Sequence, residues 1–218
     1  MLLEIKKDLS TKTVSEIYNK YLLGQDVWLF REYLNLKDPS KTYDDFKFYI
    51  SDNLKIHFNN IAITGSSKTG VSFSPKKKLK LFNEVSDLDI ILVSERHYKM
   101  FWGAYLDMHY KQIPFPEYQS VNASLFKGFI SLKNPTEKHK DIKEWLKTVN
   151  PFIKDLQLFF GIDRDVNYRI YNSWESVEKY HFFGIKQLKN FIQNNQEKES
   201  LISSIITNLK EYKNGNNK

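Results

Sequence analysis

No cysteine occurs among the 218 residues of the chain. That excludes disulfides, thiolate zinc ligands and a thiol nucleophile, and it fits a reducing, cytoplasmic setting. Long apolar runs are missing as well. No stretch approaches the roughly 20 residues that a membrane-crossing helix needs, so no membrane partner is expected. The first segment, MLLEIKKDLS, mixes acidic and basic side chains around no extended apolar centre and does not read as a signal peptide. The motifs HExxH and GxSxG do not occur. Internal repeats are absent.

What is present bounds the chain from the other side. Its length suits one domain, or one domain with a helical appendage, and suffices to bury a real core. Lys and Arg together number 33 against 26 Asp and Glu, a net charge of +7. That excess permits a polyanionic partner without requiring one. Aromatic residues make up 15% of the chain, and a large core accounts for most of them. Trp28, Trp102, Trp145 and Trp174 fall on expected helices and read as core. The histidines His57, His97, His109, His139 and His181 are scattered without metal-ligand spacing and read as structural or surface residues.

The apolar periodicity predicts a mixed α/β (α+β) chain: a twisted mixed sheet with helices around it. A helix is expected over 12–35, with Gly24 as a break, and another over 45–57 capped by Asp44 or Asp45. IAIT reads as a short buried strand ending at Gly65. Residues 71–85 read as a loop or hairpin excursion, and LDIILV as a second strand. Ser94 opens a helix that carries Phe101, Tyr105 and Met108 on one side. Residues 112–122 look irregular, SLFKGFISL looks like a strand, and 134–160 looks helical with a break at Pro151. VNYRIYN alternates as a strand does. A helix follows, with Asn172 and Glu175 at capping-box spacing. A last amphipathic helix over 197–212, striped by Leu201, Ile202, Ile205, Ile206 and Leu209, leads to a frayed tail. The core is expected over about 44–192, all 218 residues forming a single domain.

Two aspartates head the second strand. Residues i and i+2 of a strand point to one face, so Asp87 and Asp89 project together. They repel unless something positive sits between them. A metal ion is one answer: adjacent carboxylates share Mg²⁺ or Mn²⁺, and nucleotide phosphates complete the shell. Gly65-Ser66, at the end of the preceding strand, begins a tight turn whose backbone N–H groups can approach a triphosphate. A phosphate-binding P-loop is disfavoured, because Gly65 and Gly70 are followed by Val71-Ser72 and not by Lys then Ser or Thr, so the β/γ-phosphate contact is missing.

An apolar strand ending in Gly-Ser (IAITGS), then Gly70, then SDLDIILV, resembles the DNA polymerase β-like nucleotidyltransferase superfamily across residues 58–94. The resemblance implies a nucleotidyltransferase-type mixed sheet backed by helices. It also implies Mg²⁺-dependent transfer of a nucleoside monophosphate from an NTP or dNTP to a hydroxyl, with pyrophosphate leaving. Gly65, Ser66 and Ser67 would hold the nucleotide, and Asp87 and Asp89 the metal. A third carboxylate is expected from a later strand. Asp165 is the candidate, with Asn167 and Arg169 on its face, and Asp163 is the fallback. Lys179, Lys186 and Lys189 read as the polar face of the following helix; superfamily members often use a helical lysine at the γ-phosphate, and Lys186 is the candidate. Tyr168 and Tyr171 lie on the strand that approaches the site and read either as core or as platforms for a base.

The chain departs from compact members of that superfamily in the length of the excursion after Ser66. There Lys76, Lys77, Lys78 and Lys80 form either a solvated tip or a contact for single-stranded nucleic acid. A small stand-alone chain of this kind looks like bacterial anti-phage or toxin–antitoxin enzymes, which make a nucleotide signal or a short oligonucleotide. The alternative is a catalytically silent fold that binds a nucleotide or a partner effector or toxin protein. Drug adenylylation is a weaker reading, since no acidic cluster would recruit an aminoglycoside. Tyr212 in the tail is a candidate hydroxyl acceptor in cis.

Overall fold

The computed structural model describes the backbone of residues 1–215 and the side chains up to residue 195. The expected last helix, its stripe from Leu201 to Leu209, Tyr212 and the tail therefore lie outside the residues whose side chains are described.

A four-stranded mixed sheet lies at the centre, in the order β1-β2-β4-β3. β1 (Ile61–Thr64) and β2 (Leu88–Val93) pair antiparallel, with Thr64 opposite Asp89. β2 runs parallel to β4 (Val166–Tyr171), with Asp89 opposite Asn167. β3 (Phe129–Ser131) closes the far edge antiparallel to β4. One face is apolar: Ile63, Leu88, Ile90, Leu92, Ile130, Tyr168 and Ile170 join a core supplied by α3 (Pro39–Leu54), α5 (Glu95–Tyr110) and α7 (Lys140–Phe160). The opposite face is divided. Ile91, Val93, Phe129 and Tyr171 pack under Val177 of α8 (Trp174–Gly215), and the other end of that face carries the polar side chains of the site. A further apolar cluster joins α1 (Leu2–Thr11) and α2 (Val14–Tyr18) to α8 and to Val71, Phe73 and Leu79 of the excursion.

Several expected elements differ, each for a local reason. α1 was not legible. The helix over 12–35 is three pieces: α2, a π-helical turn at Asn19–Leu23 and another at Leu29–Tyr33. Between them the chain uncoils at Gly24, whose carbonyl, freed from helical bonding, accepts from the buried Lys68 ammonium. α3 starts at Pro39, with Asp38 as its cap in place of Asp44 or Asp45. Proline suits the first helical turn, where its missing N–H costs nothing. Residues Tyr118–Leu125 form α6, so the irregular stretch and the SLFKGFISL strand are both shorter than expected. Pro151 does not break α7. Trp145, Val149, Phe152 and Leu156 bury one stripe on both sides of it, and that packing outweighs the lost hydrogen bond. The cap of α8 is Ser173, whose hydroxyl accepts from the Ser176 N–H at 3.3 Å, and not Asn172. Trp102 is 41% exposed and is not core.

Candidate functional site

β1 and β2 bring the two motifs into contact. At Gly65 the backbone has φ 72° and ψ −155°, a conformation essentially reserved for glycine. A Cβ there would lie 2.6 Å from Asp89 Oδ2. Gly65 is therefore required twice, for its backbone angle and for the close passage of the Asp89 carboxylate. Ser66 follows at the start of the single turn α4 (Ser66–Thr69) and lines a cleft. Ser67 points the other way: it is buried, and its hydroxyl donates to the Thr64 carbonyl at 3.1 Å.

The excursion after Gly70 folds back as a narrow hairpin. Ser72 N–H donates to the Lys80 carbonyl, Phe82 N–H donates to that of Gly70, and Val71 bridges Leu81. Val71, Phe73 and Leu79 anchor it in the cluster around α8. This anchoring separates the four lysines. Lys77 and Lys80 line the cleft together with Ser66, Ser72, Asp87 and Asp89. Lys78 instead sits over the Phe191 ring at 4.9 Å, and Lys76 faces solvent. The cleft is small, about 60 Å³.

The two aspartates are held by different cations. Lys133 Nζ donates to both Asp87 carboxylate oxygens, at 2.9 and 2.8 Å. That hydrogen bond, with the charges of Asp87, Asp165 and Asp89, raises the Lys133 pKa against the opposing effect of burial. Lys133 was not legible as a site residue. The signal was alternation: Phe129, Ser131 and Lys133 share a face if strand spacing continues past β3. Asp89 is gripped from the neighbouring strand. Asn167 Nδ2 donates to Oδ1 at 2.7 Å, and Arg169 Nη2 lies 2.9 Å from Oδ2. Ser131 Oγ donates to Asn167 Oδ1 at 3.0 Å, which orients the amide to donate toward Asp89. Burial works against the Arg169 charge, and Asp89 together with Tyr180 and Tyr171 outweighs it, so its pKa is raised. Phe129 and Tyr180 flank the guanidinium, with ring centroids at 5.5 and 6.0 Å. Among the described residues, Arg169 Nε and Tyr171 Oη are buried without a hydrogen-bond partner. His181 completes this layer from α8, with Nε2 3.5 Å from Thr64 Oγ1. Burial and then the Arg169 charge push its pKa down to about 3, so it is neutral.

Other expected site residues fall as follows. Asp165 is next to Asp87: its carbonyl accepts from Leu88 N–H at 2.8 Å, and its charge acts on Lys133. Asp163 is exposed. Lys186 is exposed on α8 and does not line the cleft. Tyr168 and Tyr171 are buried, 4% and 0% exposed, and their rings are closed to a base.

Among the described residues, no three His, Cys, Asp or Glu side chains are grouped to hold a metal as they stand. The residues nonetheless fit one divalent cation on a condition. The Lys133 ammonium stands 2.9 and 2.8 Å from the two Asp87 oxygens, so a cation that displaced it would meet that carboxylate. A second ion would find Asp89 already neutralised by Arg169.

A scan against protein-family models and searches of curated proteins and of solved structures return no match. Among the described residues, no helix is long and apolar enough to cross a membrane.

Proposed function

We propose that the chain is a metal-dependent nucleotidyltransferase that moves a nucleoside monophosphate from an NTP or dNTP to a hydroxyl. The observation that supports this most is the contact of Gly65 with the Asp89 carboxylate, which puts a glycine-serine turn and paired aspartates in one cleft with Lys77 and Lys80. A polyphosphate needs positive charge and N–H or O–H donors, and that cleft supplies Lys77, Lys80, Ser66 and Ser72. Asp87, Asp89 and Asp165 would hold Mg²⁺ or Mn²⁺, whose contribution would be to neutralise the phosphate oxygens around the breaking bond. The acceptor oxygen bonds to the α-phosphorus, the bond from that phosphorus to the bridging oxygen breaks, and pyrophosphate leaves with the electron pair. The Asp165 carboxylate has no hydrogen-bond partner among the described residues, which leaves it open to take the acceptor's proton. A bacterial defence or toxin–antitoxin setting remains a family-level expectation and gains nothing from the geometry.

A second reading is favoured by one observation: Arg169 and Asn167 occupy both oxygens of Asp89. A fixed internal cation suits a fold that binds a nucleotide or a partner protein without chemistry. Incubation with each radiolabelled NTP and dNTP, with Mg²⁺ or Mn²⁺, separates the two. A labelled product or released pyrophosphate supports the enzyme. Calorimetric binding of a triphosphate with no turnover under any condition supports the silent fold.

A further inference from the structure

The two carboxylates of the site differ in how firmly their cations are held. Arg169 and Asp89 are mostly covered, with side chains 18% and 16% exposed, and the guanidinium lies between aromatic rings beneath α8. Lys133 and Asp87 are more open, at 43% and 29%. Lys133 comes two residues after β3, where Leu132 N–H still donates to the Tyr168 carbonyl at 2.9 Å. Its backbone is thus fixed at the edge of β4. Its four-carbon stem reaches Asp87, the residue just before β2, and its side chain is partly exposed to solvent. An exposed pair of this kind holds weakly, whereas a divalent cation bound by carboxylates competes strongly for the same oxygens.

We propose that Lys133 is a tethered place-holder for the metal: it occupies the cation position at Asp87 in the empty protein, yields it to one divalent ion, and then pairs with the polyphosphate of the incoming nucleotide. This rests on the nucleotidyltransferase reading above. The sequence of exchanges is electrostatically balanced. Without ligand, Lys133 neutralises Asp87, as Arg169 does Asp89. With metal alone, the ammonium loses its partner, which opposes binding. With metal and polyphosphate together, it gains a new anion beside Lys77 and Lys80. Metal and polyphosphate therefore bind with positive coupling, and by linkage each raises the affinity for the other by the same factor.

The test is Mn²⁺ binding followed by electron paramagnetic resonance, on wild type and Lys133→Met, with and without inorganic tripolyphosphate. Thermal melts and circular dichroism confirm that the variant is folded. Free Mn²⁺ and tripolyphosphate also bind each other, so their association is measured separately and subtracted. The expected result is Mn²⁺ binding to the variant alone at least about fivefold tighter, the factor an exposed pair of about 1 kcal/mol represents. The enhancement of Mn²⁺ affinity by tripolyphosphate should be smaller in the variant than in wild type. Equal Mn²⁺ affinity in the two proteins, or weaker binding by the variant, overturns the role of Lys133 and leaves the metal site standing. No Mn²⁺ binding by either protein overturns both the place-holder and the metal reading.

Discussion

Arg169 Nη2 lies 2.9 Å from Asp89 Oδ2 across the two parallel central strands, although the residue directly opposite Asp89 is Asn167. The guanidinium thus reaches back two positions along β4 to the level of Gly65, and the Asp89 carboxylate is fixed on three sides, by glycine, amide and guanidinium. Removing one partner leaves the other charged in a covered place. Arg169→Met should cost on the order of 3 kcal/mol and lower the melting temperature by roughly 10 °C. Asp89→Asn should destabilise similarly, while Asp87→Asn, which breaks only an exposed pair, should change stability by at most about 1 kcal/mol. Either aspartate variant should lower turnover on the order of 10³-fold through the lost metal ligand. Urea denaturation of the single variants and of the Arg169→Met/Asp89→Asn double variant measures the pair, and additive losses in the double variant would contradict it.

Gly65→Ala meets both the reserved backbone angle and the Asp89 oxygen. The angle alone costs about 1–3 kcal/mol. The added methyl should also displace the carboxylate, so triphosphate binding measured by calorimetry should fall more than stability does. Unchanged binding in a folded Gly65→Ala protein would separate the turn from the site.

The lysine run divides into a pair inside the cleft and a pair outside it. Replacing Lys77 and Lys80 with Met should weaken tripolyphosphate binding by about tenfold or more, and replacing Lys76 and Lys78 should leave it unchanged. If the run served single-stranded nucleic acid instead, all four would contribute, and each lost phosphate contact would reduce the salt slope of oligonucleotide binding by about 0.7. Titrations of both double variants with tripolyphosphate and with an oligonucleotide at several salt concentrations decide between these.

His181 and His97 are buried neutral. Burial and then a neighbouring arginine lower their pKa values, to about 3 and about 4. The unfolded chain takes up these protons near the ordinary histidine value of about 6.5, while the folded protein refuses them. Between those values the unfolded state binds more protons, so stability is complete above about pH 6.5 and falls as the pH drops toward 4 and then 3. Urea midpoints measured from pH 7.5 to 5 should decline, and His181→Gln should flatten the decline. An identical pH profile in that variant would show that His181 takes no part.

The sequence by itself determined what depends on near neighbours. The Ser94 cap, the strands Ile61–Thr64 and Leu88–Val93, the common face of Asp87 and Asp89 and the turn at Gly65 all follow from spacing of two to four residues, because side-chain direction along a strand or helix is periodic. What packing governs was not legible in the same way. Pro151 inside α7, α6 in place of an irregular stretch and the burial of Tyr168 and Tyr171 each set tertiary contact against local preference. The partners of the two aspartates were decided only by the fold. Lys133 is 46 residues from Asp87, and Asn167 is 78 from Asp89. They meet because the strand order places β4 between β2 and β3. No local periodicity encodes which strand lies beside which, and so the charge that settles the repulsion between Asp87 and Asp89 belongs to the tertiary structure alone.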